Sequence, residues 1–477
     1  MCDHPRVTRT SDSRGPSPRE RAALLAGRVA GEATRRLGRG GGTALPGLVA
    51  RTLAPGLVES LAAQPGQGVV TVTGTNGKTT TTHLVAAIAT AAGMTPLTNR
   101  TGSNLERGLV TTLVDAAGAD GRIADAARTL GLFEVDEAAL PALFPRLRPR
   151  VAVFLNLFRD QLDRYGEIDS VAAGWARMLD AGAGTPTLVL NADDPSVAAL
   201  ADHARGPVVL FGVEDRSVAL TLAEHATDAR FCACGARVKH EAVTMGHVGW
   251  WRCDACGRAR QAPQVFARRV TLSAESSEVE VVSGEEQATL VLPAAGLYSV
   301  YNALAAVAAG RALGIPLAAS VDAIAAAGPA FGRQERFEVG GRAVRIWLAK
   351  NPAGLNEIVR ALLAAGRPLH VLAFLNDGIQ DGQDVSWIYD ADLERLTARL
   401  ERLTCAGARA DDLALRFHIA GRTPEATIGE TGPALEAALA ATPEGGTLDI
   451  VATYTAMIEV REVVAARAGE RSYWETA

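Results

Sequence analysis

Short apolar runs alternate with Ala-rich helical stretches along most of this chain of 477 residues. The runs have the length and composition of buried strands. They are Val69–Val72, Val151–Leu155, Thr187–Leu190 and Val208–Phe211. Buried strands that alternate with helices predict an α/β fold, in which a mainly parallel sheet carries helices on both faces.

The pattern changes twice towards the C-terminus. Residues 228–262 interrupt it with clustered Cys and Trp, and a boundary is predicted near Gly328–Gly332. Further strands and a helix are expected at Val270–Val282, Gln287–Leu292, Tyr298–Leu313, Ala343–Trp347, Leu369–Leu375 and Thr447–Val451. The last three runs predict a Rossmann-like C-terminal α/β domain that lacks a glycine fingerprint.

The N-terminus differs from the rest in charge, because the first 40 residues hold nine Arg and four acidic residues. We expect residues 1–17 to form a disordered tail and Ala22–Leu37 an Arg-studded helix that packs on the body or a partner. A membrane-surface role is the alternative. The net charge of −5 gives no basic field that would favour nucleic acid as a partner. Without a signal peptide or a long apolar run, we expect a cytoplasmic protein, at most peripheral to the inner membrane face.

A glycine-bearing loop directly follows the first strand and leads into a helix, which is the context of a P-loop. Its nucleotide-binding candidates are Gly74, Thr75, Asn76, Gly77, Lys78, Thr79 and Thr80. Backbone N–H groups of such a loop cradle phosphate, the lysine reaches the terminal phosphates and the hydroxyl of Thr79 ligates Mg²⁺. The whole chain has three lysines, Lys78, Lys239 and Lys350, and almost every other cation is Arg. We therefore assign Lys78 a catalytic role in ATP chemistry.

Acidic residues follow the next strands. Glu134, at the start of the run Glu-Val-Asp-Glu, is placed to hold Mg²⁺ together with Thr79. The acids of Asn156–Gly166 could hold a second ion or order their loop, and a solvated acidic loop is the alternative. Asn191–Pro195 is by itself only a turn signal.

Four cysteines have the spacing of a zinc ribbon: Cys232, Cys234, Cys253 and Cys256. A glycine follows each pair, as in zinc knuckles, and four thiolates give tetrahedral coordination. The first pair is one residue shorter than the usual knuckle, so this half could be strained. A redox pair is the weaker interpretation, because such motifs open a helix after a strand.

The motifs occur in an order that resembles the Mur ligase superfamily: TGTNGKTTT, EVDE, NLFRDQLDRYGE, LNADDP, GLYSVYNALAA, FGRQERFE and KNPAG. The resemblance covers about residues 65–360. It implies that ATP converts a carboxylate to an acyl phosphate, which an amine then attacks. It also implies that Asn302 contacts the adenine and Arg336 the γ-phosphate.

Within the superfamily, the ribbon, the DQLDRYGE wording and residues 376–390 resemble the MurT family, the ligase-like subunits of lipid II isoglutaminyl synthase. Gln161 stands where ordinary Mur ligases have a metal-binding His, and Trp347–Pro352 replaces their DYAHNP segment. No lysine lies between Lys78 and Lys239, so the carbamylated lysine of those enzymes is missing.

This resemblance implies ATP-dependent amidation of the D-glutamate α-carboxylate in the stem peptide of lipid II, giving D-isoglutamine at the inner membrane face. The ammonia would come from a GatD-like glutaminase subunit in a heterodimer. One acid of the 376–390 loop would orient the catalytic His of that partner. Asp384 is our choice, and Asp377 and Asp381 are the alternatives.

Three regions are expected: an Arg-rich tail and helix (1–42), a Mur ligase-like ATP-binding central domain (43–330) with the ribbon inserted at 228–262, and the C-terminal domain (331–477). Two other functions remain open. A stand-alone amino-acid ligase of the Mur or folylpolyglutamate type would turn over ATP with an amino acid and no partner. A non-catalytic scaffold for a glutaminase would bind nucleotide without hydrolysing it.

Overall fold

A computed structural model describes residues 16–470, except 37–44, 100–103, 161–167, 221–227, 230, 274 and 329–333. Several predicted features lie outside the described residues. They are the tail up to residue 15, Leu37 with the glycine run after it, Gln161, and most of the predicted domain boundary.

The first sheet has nine strands in the order β11-β10-β9-β6-β5-β4-β1-β3-β2. These are β1 (Val69–Thr73), β2 (Thr95–Thr98), β3 (Thr129–Glu134), β4 (Val151–Phe154), β5 (Thr187–Asn191), β6 (Val208–Val213), β9 (Val265–Leu272), β10 (Ser277–Ser283) and β11 (Glu286–Leu292). All neighbours are parallel except β9, β10 and β11, which pair antiparallel at one edge. β1 lies between β3 and β4, so the carboxyl ends of three parallel strands meet where the P-loop begins.

A second sheet of six strands has the order β12-β13-β17-β14-β15-β16. Its strands are β12 (Glu335–Val339), β13 (Arg342–Leu348), β14 (Leu369–Phe374), β15 (Leu400–Ala406), β16 (Ala426–Ile428) and β17 (Thr447–Ala452). Only the β12–β13 pair is antiparallel. The strands β7 (Lys239–Met245) and β8 (Val248–Arg252) form a separate antiparallel hairpin.

Helices cover both faces of each large sheet, and four apolar cores fill the layers between them. The nine-stranded sheet with its helices is called the first lobe, and the six-stranded sheet with its helices the second lobe. The first lobe contains α1 (Pro18–Arg36), α2 (Leu45–Leu53), α3 (Leu57–Ala62), α4 (Lys78–Ala91), α5 (Glu106–Ala116), α6 (Leu140–Leu147), α7 (Ile168–Ala181), α8 (Pro195–Ala198), α9 (Leu297–Leu313) and α10 (Leu317–Ala326). The second lobe contains α11 (Pro352–Ala364), α12 (Glu394–Thr397), α13 (Ala410–Ile419), α14 (Thr431–Ala441) and α15 (Tyr454–Ala468). Short 3₁₀ turns lie at Ala199–His203, Arg216–Val218 and Ser386–Asp390.

The predicted α/β class is confirmed, because the apolar runs of the sequence are central strands whose residues face helices on both sides. The run Val270–Val282 is the exception. It is two antiparallel strands, β9 and β10, and Ser273 N donates to Ser276 O between them at 2.9 Å.

The Arg-rich helix α1 packs on α2, which packs on α5. Ala23 and Leu24 are buried in the same apolar core as one face of the first sheet, whereas Leu25 and Val29 are exposed. In the part of the chain that the structure describes, no helix combines the length and the apolar character needed to cross a membrane.

Candidate active site

The P-loop occupies the turn between β1 and α4. Gly74 and Gly77 have φ angles of 132° and 91°, a left-handed region that glycine alone adopts without strain. Close neighbours add a second constraint. A Cβ on Gly77 would lie 2.0 Å from Asn302 Oδ1, and one on Gly74 would lie 2.9 Å from Asn156 N. Glycine is therefore required at both positions for the loop to have this shape.

The loop after β4 holds the P-loop in place. Thr75 N donates to Asn156 O at 2.9 Å, and Asn76 N donates to Asn156 Oδ1 at 2.9 Å. Phe158 N donates to Thr75 Oγ1 at 3.0 Å. Asn156 was not predicted as a site residue, although its position directly after a central strand was a usable signal.

Lys78, the first residue of α4, is buried and ion-paired. Its Nζ lies 2.7 Å from Gly74 O and 3.0 Å from Glu137 Oε1. Burial lowers the pKa of Lys78, but the carboxylates of Glu137, Glu134 and Asp136 outweigh that effect, so the pKa lies above its ordinary value. The ammonium is therefore kept charged, and its ion pair with Glu137 holds it beside the loop. Glu137 was not predicted.

Thr79 and Glu134 meet as expected for a Mg²⁺ site. Thr79 Oγ1 donates to Glu134 Oε2 at 2.9 Å, and Glu134 is buried at the end of β3, in register with Val72 of β1. The backbone of Glu134 is fixed by Asn99, which accepts from Glu134 N and donates to Glu134 O, both at 2.9 Å. Hydroxyl and carboxylate oxygens suit Mg²⁺, so the donor set fits that ion. Thr80 follows on α4 and is partly exposed.

The second lobe reaches the P-loop through the segment between β13 and α11. Asn351 Nδ2 donates to Asn76 Oδ1 at 3.0 Å, while Asn351 Oδ1 caps α11 by accepting from Gly354 N at 2.8 Å. Beside it, Lys350 Nζ lies 2.5 Å from Asp160 Oδ2 of the first lobe. The acid of the Asn156–Gly166 run thus orders an interface between the lobes. Neither Lys350 nor Asn351 was predicted as a site residue.

The two residues expected to complete the nucleotide site differ in their surroundings. Asn302 is buried on α9 with its side chain against Gly77. Arg336 is half exposed on β12, where its Nη1 lies 3.4 Å from Glu275 Oε2 and its Nη2 donates to Glu275 O at 3.2 Å. The structure brings Asn302 to the P-loop and gives Arg336 a partner in the β9–β10 turn.

The four predicted cysteines converge. Their sulfur atoms all lie within 4.8 Å of one another. The cross-pairs Cys232–Cys256 and Cys234–Cys253 are 3.7 and 3.5 Å apart, close to the separation of about 3.8 Å in a tetrahedral site with metal–sulfur bonds of about 2.3 Å. Backbone N–H groups, first that of Cys256, lower the pKa of Cys253 to about 7, which favours the thiolate form that binds metal. At Cys234 the backbone N–H of Ala236 lowers the pKa, but hydrogen bonds with the Cys253 and Cys256 thiols outweigh it and raise the pKa to about 11, so the thiolate character is concentrated on Cys253.

Both cysteine turns close in the same way, including the shorter first one. Gly235 N donates to Cys232 O at 2.7 Å and Gly257 N to Cys253 O at 3.0 Å. Both glycines have positive φ, 84° and 74°. The donors and their geometry fit a tetrahedral metal.

The Asn191–Pro195 motif forms more than the turn that its sequence indicated, because it joins the β7–β8 hairpin, which lies between the two cysteine pairs in the sequence, to the first sheet. Asp193 is buried and accepts from Tyr301 OH and Arg260 Nε, each at 2.7 Å. Asp194 Oδ2 lies 3.3 Å from His247 Nε2 in the hairpin turn and accepts from Leu157 N at 2.8 Å. The ribbon is thereby connected to the loop that holds the P-loop.

The three candidate acids of the 376–390 loop have different environments. Asp381 is buried and accepts from both Thr455 N and Thr455 Oγ1. Asp377 Oδ2 lies 3.1 Å from Arg409 Nη1. Asp384 is exposed, and its Oδ1 accepts from Ser386 N at 2.9 Å. Hydrogen bonds from the Ser386 hydroxyl and N–H lower the pKa of Asp384, so it is ionised at neutral pH.

Two family models match the chain. The Mur ligase middle domain covers residues 72–249, which include the P-loop and the first cysteine pair, Cys232 and Cys234. The MurT ligase C-terminal domain covers residues 348–457, which include Lys350 and the 376–390 loop.

Curated relatives match over nearly the full length. The MurT subunit of lipid II isoglutaminyl synthase (glutamine-hydrolyzing) from Streptococcus pneumoniae is 33% identical over 93% of this chain and 96% of its own. The subunit of the same name from Staphylococcus aureus (strain COL) is 31% identical over 84% of this chain and 88% of its own.

Solved structures share the fold at low identity. A pseudomurein peptide ligase type C from Methanothermus fervidus aligns with a TM-score of 0.65 at 20% identity, covering 86% of this chain and 81% of that one. MurF from Acinetobacter baumannii aligns with a TM-score of 0.63 at 18% identity, covering 87% and 81%.

Proposed function

The chain belongs to the MurT family and is a ligase, and from that premise we propose that it amidates the D-glutamate α-carboxylate of the lipid II stem peptide to D-isoglutamine. ATP supplies the driving force, and ammonia from a GatD-like glutaminase is the nucleophile. One observation carries the proposal: the chain holds a P-loop site that both lobes close, and separately presents the exposed carboxylate of Asp384.

The first half-reaction is phosphoryl transfer from ATP to the carboxylate, which gives an acyl phosphate and ADP. Lys78 leaves Glu137 and binds the terminal phosphates, and Asn302 contributes to the base site beside Gly77. Thr79 and Glu134 would hold Mg²⁺, which when bound neutralises charge on the β- and γ-phosphates. Positioning and charge stabilisation account for most of the rate enhancement in such steps.

Arg336 belongs to this step only if it changes partner. In the structure its guanidinium contacts Glu275, and the resemblance places it at the γ-phosphate. We propose that nucleotide and substrate draw Arg336 away from Glu275, which is 60% exposed and so binds it weakly.

In the second half-reaction ammonia attacks the acyl phosphate and phosphate leaves. Free ammonia is largely protonated in water at neutral pH, so a partner that releases it directly is a chemical advantage. We propose that Asp384 enters the glutaminase active site of a heterodimer and orients its catalytic His, the role of the acid in a Cys–His–acid arrangement. Its exposure and lowered pKa support this assignment. The reaction would take place at the inner membrane face, where a cytoplasmic enzyme meets lipid II.

The cysteine cluster is proposed to hold one Zn²⁺. Four thiolates with these sulfur separations match a closed structural site, which contributes to folding rather than to catalysis. The ribbon is connected through Asp194 to Leu157, which lies in the loop that fixes Thr75 and Asn76. We propose that the zinc site stabilises this loop.

The test is reconstitution of the chain with a GatD-like glutaminase, ATP, Mg²⁺, lipid II and isotopically labelled glutamine. We expect one labelled nitrogen per stem peptide at the D-glutamate α-carboxyl group, identified by mass spectrometry. An amino-acid adduct formed without the glutaminase would indicate a stand-alone ligase instead. Binding of ATP without turnover under full substrate would indicate a scaffold.

A further inference from the structure

Two of the three lysines in the chain converge on the P-loop, one from each lobe. Lys78 belongs to the first lobe and Lys350 to the second, while the third, Lys239, is exposed on the β7 strand of the ribbon. The proposed first half-reaction accounts for Lys78. It leaves Lys350 without a role.

The position of Lys350 is set by rigid structure on both sides. It follows β13, an inner strand of the second sheet, and precedes Asn351, which caps α11 and contacts Asn76 of the P-loop. Its side chain is 25% exposed, and the ammonium lies 2.5 Å from Asp160 Oδ2. Within the described residues the hydrogen bond to Asp160 uses one of the three N–H donors of this ammonium, so donors remain there for a ligand.

The charges around Lys350 form a short series across the interface. Lys78 pairs with Glu137 on one side, and Lys350 pairs with Asp160 on the other. Burial raises the pKa of Glu137, and the charges of both Lys78 and Lys350 oppose that effect, so Lys350 lies near enough to act on the same carboxylate. In the second lobe, Lys350 directly precedes Asn351, which contacts Asn76 of the P-loop. Arg336 instead pairs with Glu275, between β9 and β10.

We propose that Lys350 is a further catalytic residue, which binds the substrate carboxylate and then the acyl phosphate from the face opposite the P-loop. This inference rests on the proposed function. A carboxylate must approach the γ-phosphate from the side that the P-loop leaves open, and the second lobe forms that side. A cation there offsets the repulsion between two anions before they react.

The chemistry requires no proton from Lys350. A carboxylate oxygen attacks the γ-phosphorus, the bond from that phosphorus to the β–γ bridging oxygen breaks, and its electron pair leaves with ADP. Ammonia then attacks the acyl carbon, the carbon–oxygen bond to phosphate breaks, and phosphate departs while the new amide loses a proton to solvent. The ammonium of Lys350 attracts the negative oxygens in both steps.

A structural role as a latch between the lobes is the competing explanation, and it makes a different prediction. If Lys350 matters only through its ion pair, Asp160→Asn should be as harmful as Lys350→Gln. If Lys350 binds substrate, Asp160→Asn should lower activity by about fivefold at most, the effect of losing one partly exposed ion pair.

The test compares Lys350→Gln, Lys350→Met and Asp160→Asn in the assembled enzyme with ammonium, ATP and lipid II. We expect both lysine variants to bind ATP within about threefold of wild type, yet to lose about 10²-fold in kcat/KM for lipid II. They should also lose the scrambling of oxygen label in ATP that reversible acyl phosphate formation causes when ammonia is absent. Thermal unfolding establishes whether each variant is folded. If the Gln variant does not fold, the Met variant, which has a similar side-chain length without the charge, replaces it in the test.

The inference is wrong if either folded lysine variant retains label scrambling and kcat/KM near wild type, or if Asp160→Asn matches the loss. Wild-type enzyme that neither amidates lipid II nor scrambles the label would instead contradict the proposed function. The two failures are therefore distinguishable.

Discussion

The P-loop interface and the 376–390 loop both carry carboxylates that the proposed function uses, but those carboxylates differ in how completely they are paired within this chain. At the P-loop, Glu134 and Glu137 are buried and bonded to Thr79 and Lys78. In the second region, Asp384 is exposed and accepts hydrogen bonds from its neighbour Ser386. Burial of a charge is costly unless a partner is present. The P-loop acids have their partners within this chain and can be buried, whereas Asp384 has no charged partner among the described residues and stays in solvent.

The difference teaches that one chain can contain a whole site and part of another. The first site draws residues from both lobes, and in the proposed function it takes up nucleotide, metal and substrate. The second presents an ionised acid on a loop that Asp381 anchors to Thr455 at the start of α15. Four substitutions test that contrast, from the largest expected effect to the smallest.

Lys78→Ala should have the widest effect, because it removes the cation proposed to bind the terminal phosphates and so lowers amidation from both nitrogen sources. We expect amidation to fall by about 10³-fold or more with either glutamine or ammonium as nitrogen source, measured by product mass. Leaving Glu137 buried without its cation should also cost about 3 kcal/mol of unfolding free energy. Lys78→Ala with Glu137→Gln should recover stability but not activity, and recovery of activity would contradict the assignment.

Asp384→Asn should affect only one nitrogen source. An amide cannot stabilise an imidazolium, so glutamine-driven amidation should fall by up to about 10⁴-fold, while ammonium-driven amidation at high pH should remain. Asp381→Asn is the matched control. Since it disturbs a buried hydrogen-bonded carboxylate, it should lower thermal stability and both activities together. If Asp384→Asn lost both activities at full stability, Asp384 would belong to the synthetase site.

Cys253→Ser should act on stability more than on chemistry. We expect the purified chain to carry about one Zn²⁺, and the variant to lose it along with several kcal/mol of unfolding free energy. At saturating ATP and lipid II, folded variant should retain most of its turnover. Metal analysis of wild type in reducing buffer free of chelators is the control, and absence of zinc there would count against the site.

Asn351→Ala should have the smallest effect, because it removes the bond to Asn76 and a helix cap without touching the reacting groups. Each such interaction contributes about 1 kcal/mol. The expected result is a rise of several-fold in the KM for ATP with kcat nearly unchanged, from steady-state kinetics. A large loss in kcat would mean that Asn351 touches the reacting atoms.

Local sequence was enough to predict the P-loop and the cysteine cluster. A strand, two glycines and a helix occur within about twenty residues of one another, and each pair of cysteines lies in one short turn. Such features depend little on the rest of the fold, so residues such as Gly77 and Cys253 could be assigned without it.

Contacts across long separations could not be predicted in this way. Asn351 meets Asn76, and Lys350 meets Asp160, only because the second lobe packs on the first. The choice among the acids of the 376–390 loop had the same difficulty. All three candidates are aspartates in one loop, so the sequence does not distinguish them. In the structure Asp381 is buried and Asp384 is exposed. The assignments of the domain limits and of Arg336 stay predictions.

The central claim is that this chain alone contains the complete synthetase site and lacks a working glutaminase. The most direct test is amidation of lipid II by the purified chain without a partner, in the presence of ATP and Mg²⁺. We expect product with ammonium at high pH and none with glutamine, and addition of a GatD-like glutaminase should make glutamine effective. Amidation from glutamine by the chain alone, or no product from ammonium with folded, ATP-binding protein, would contradict the account.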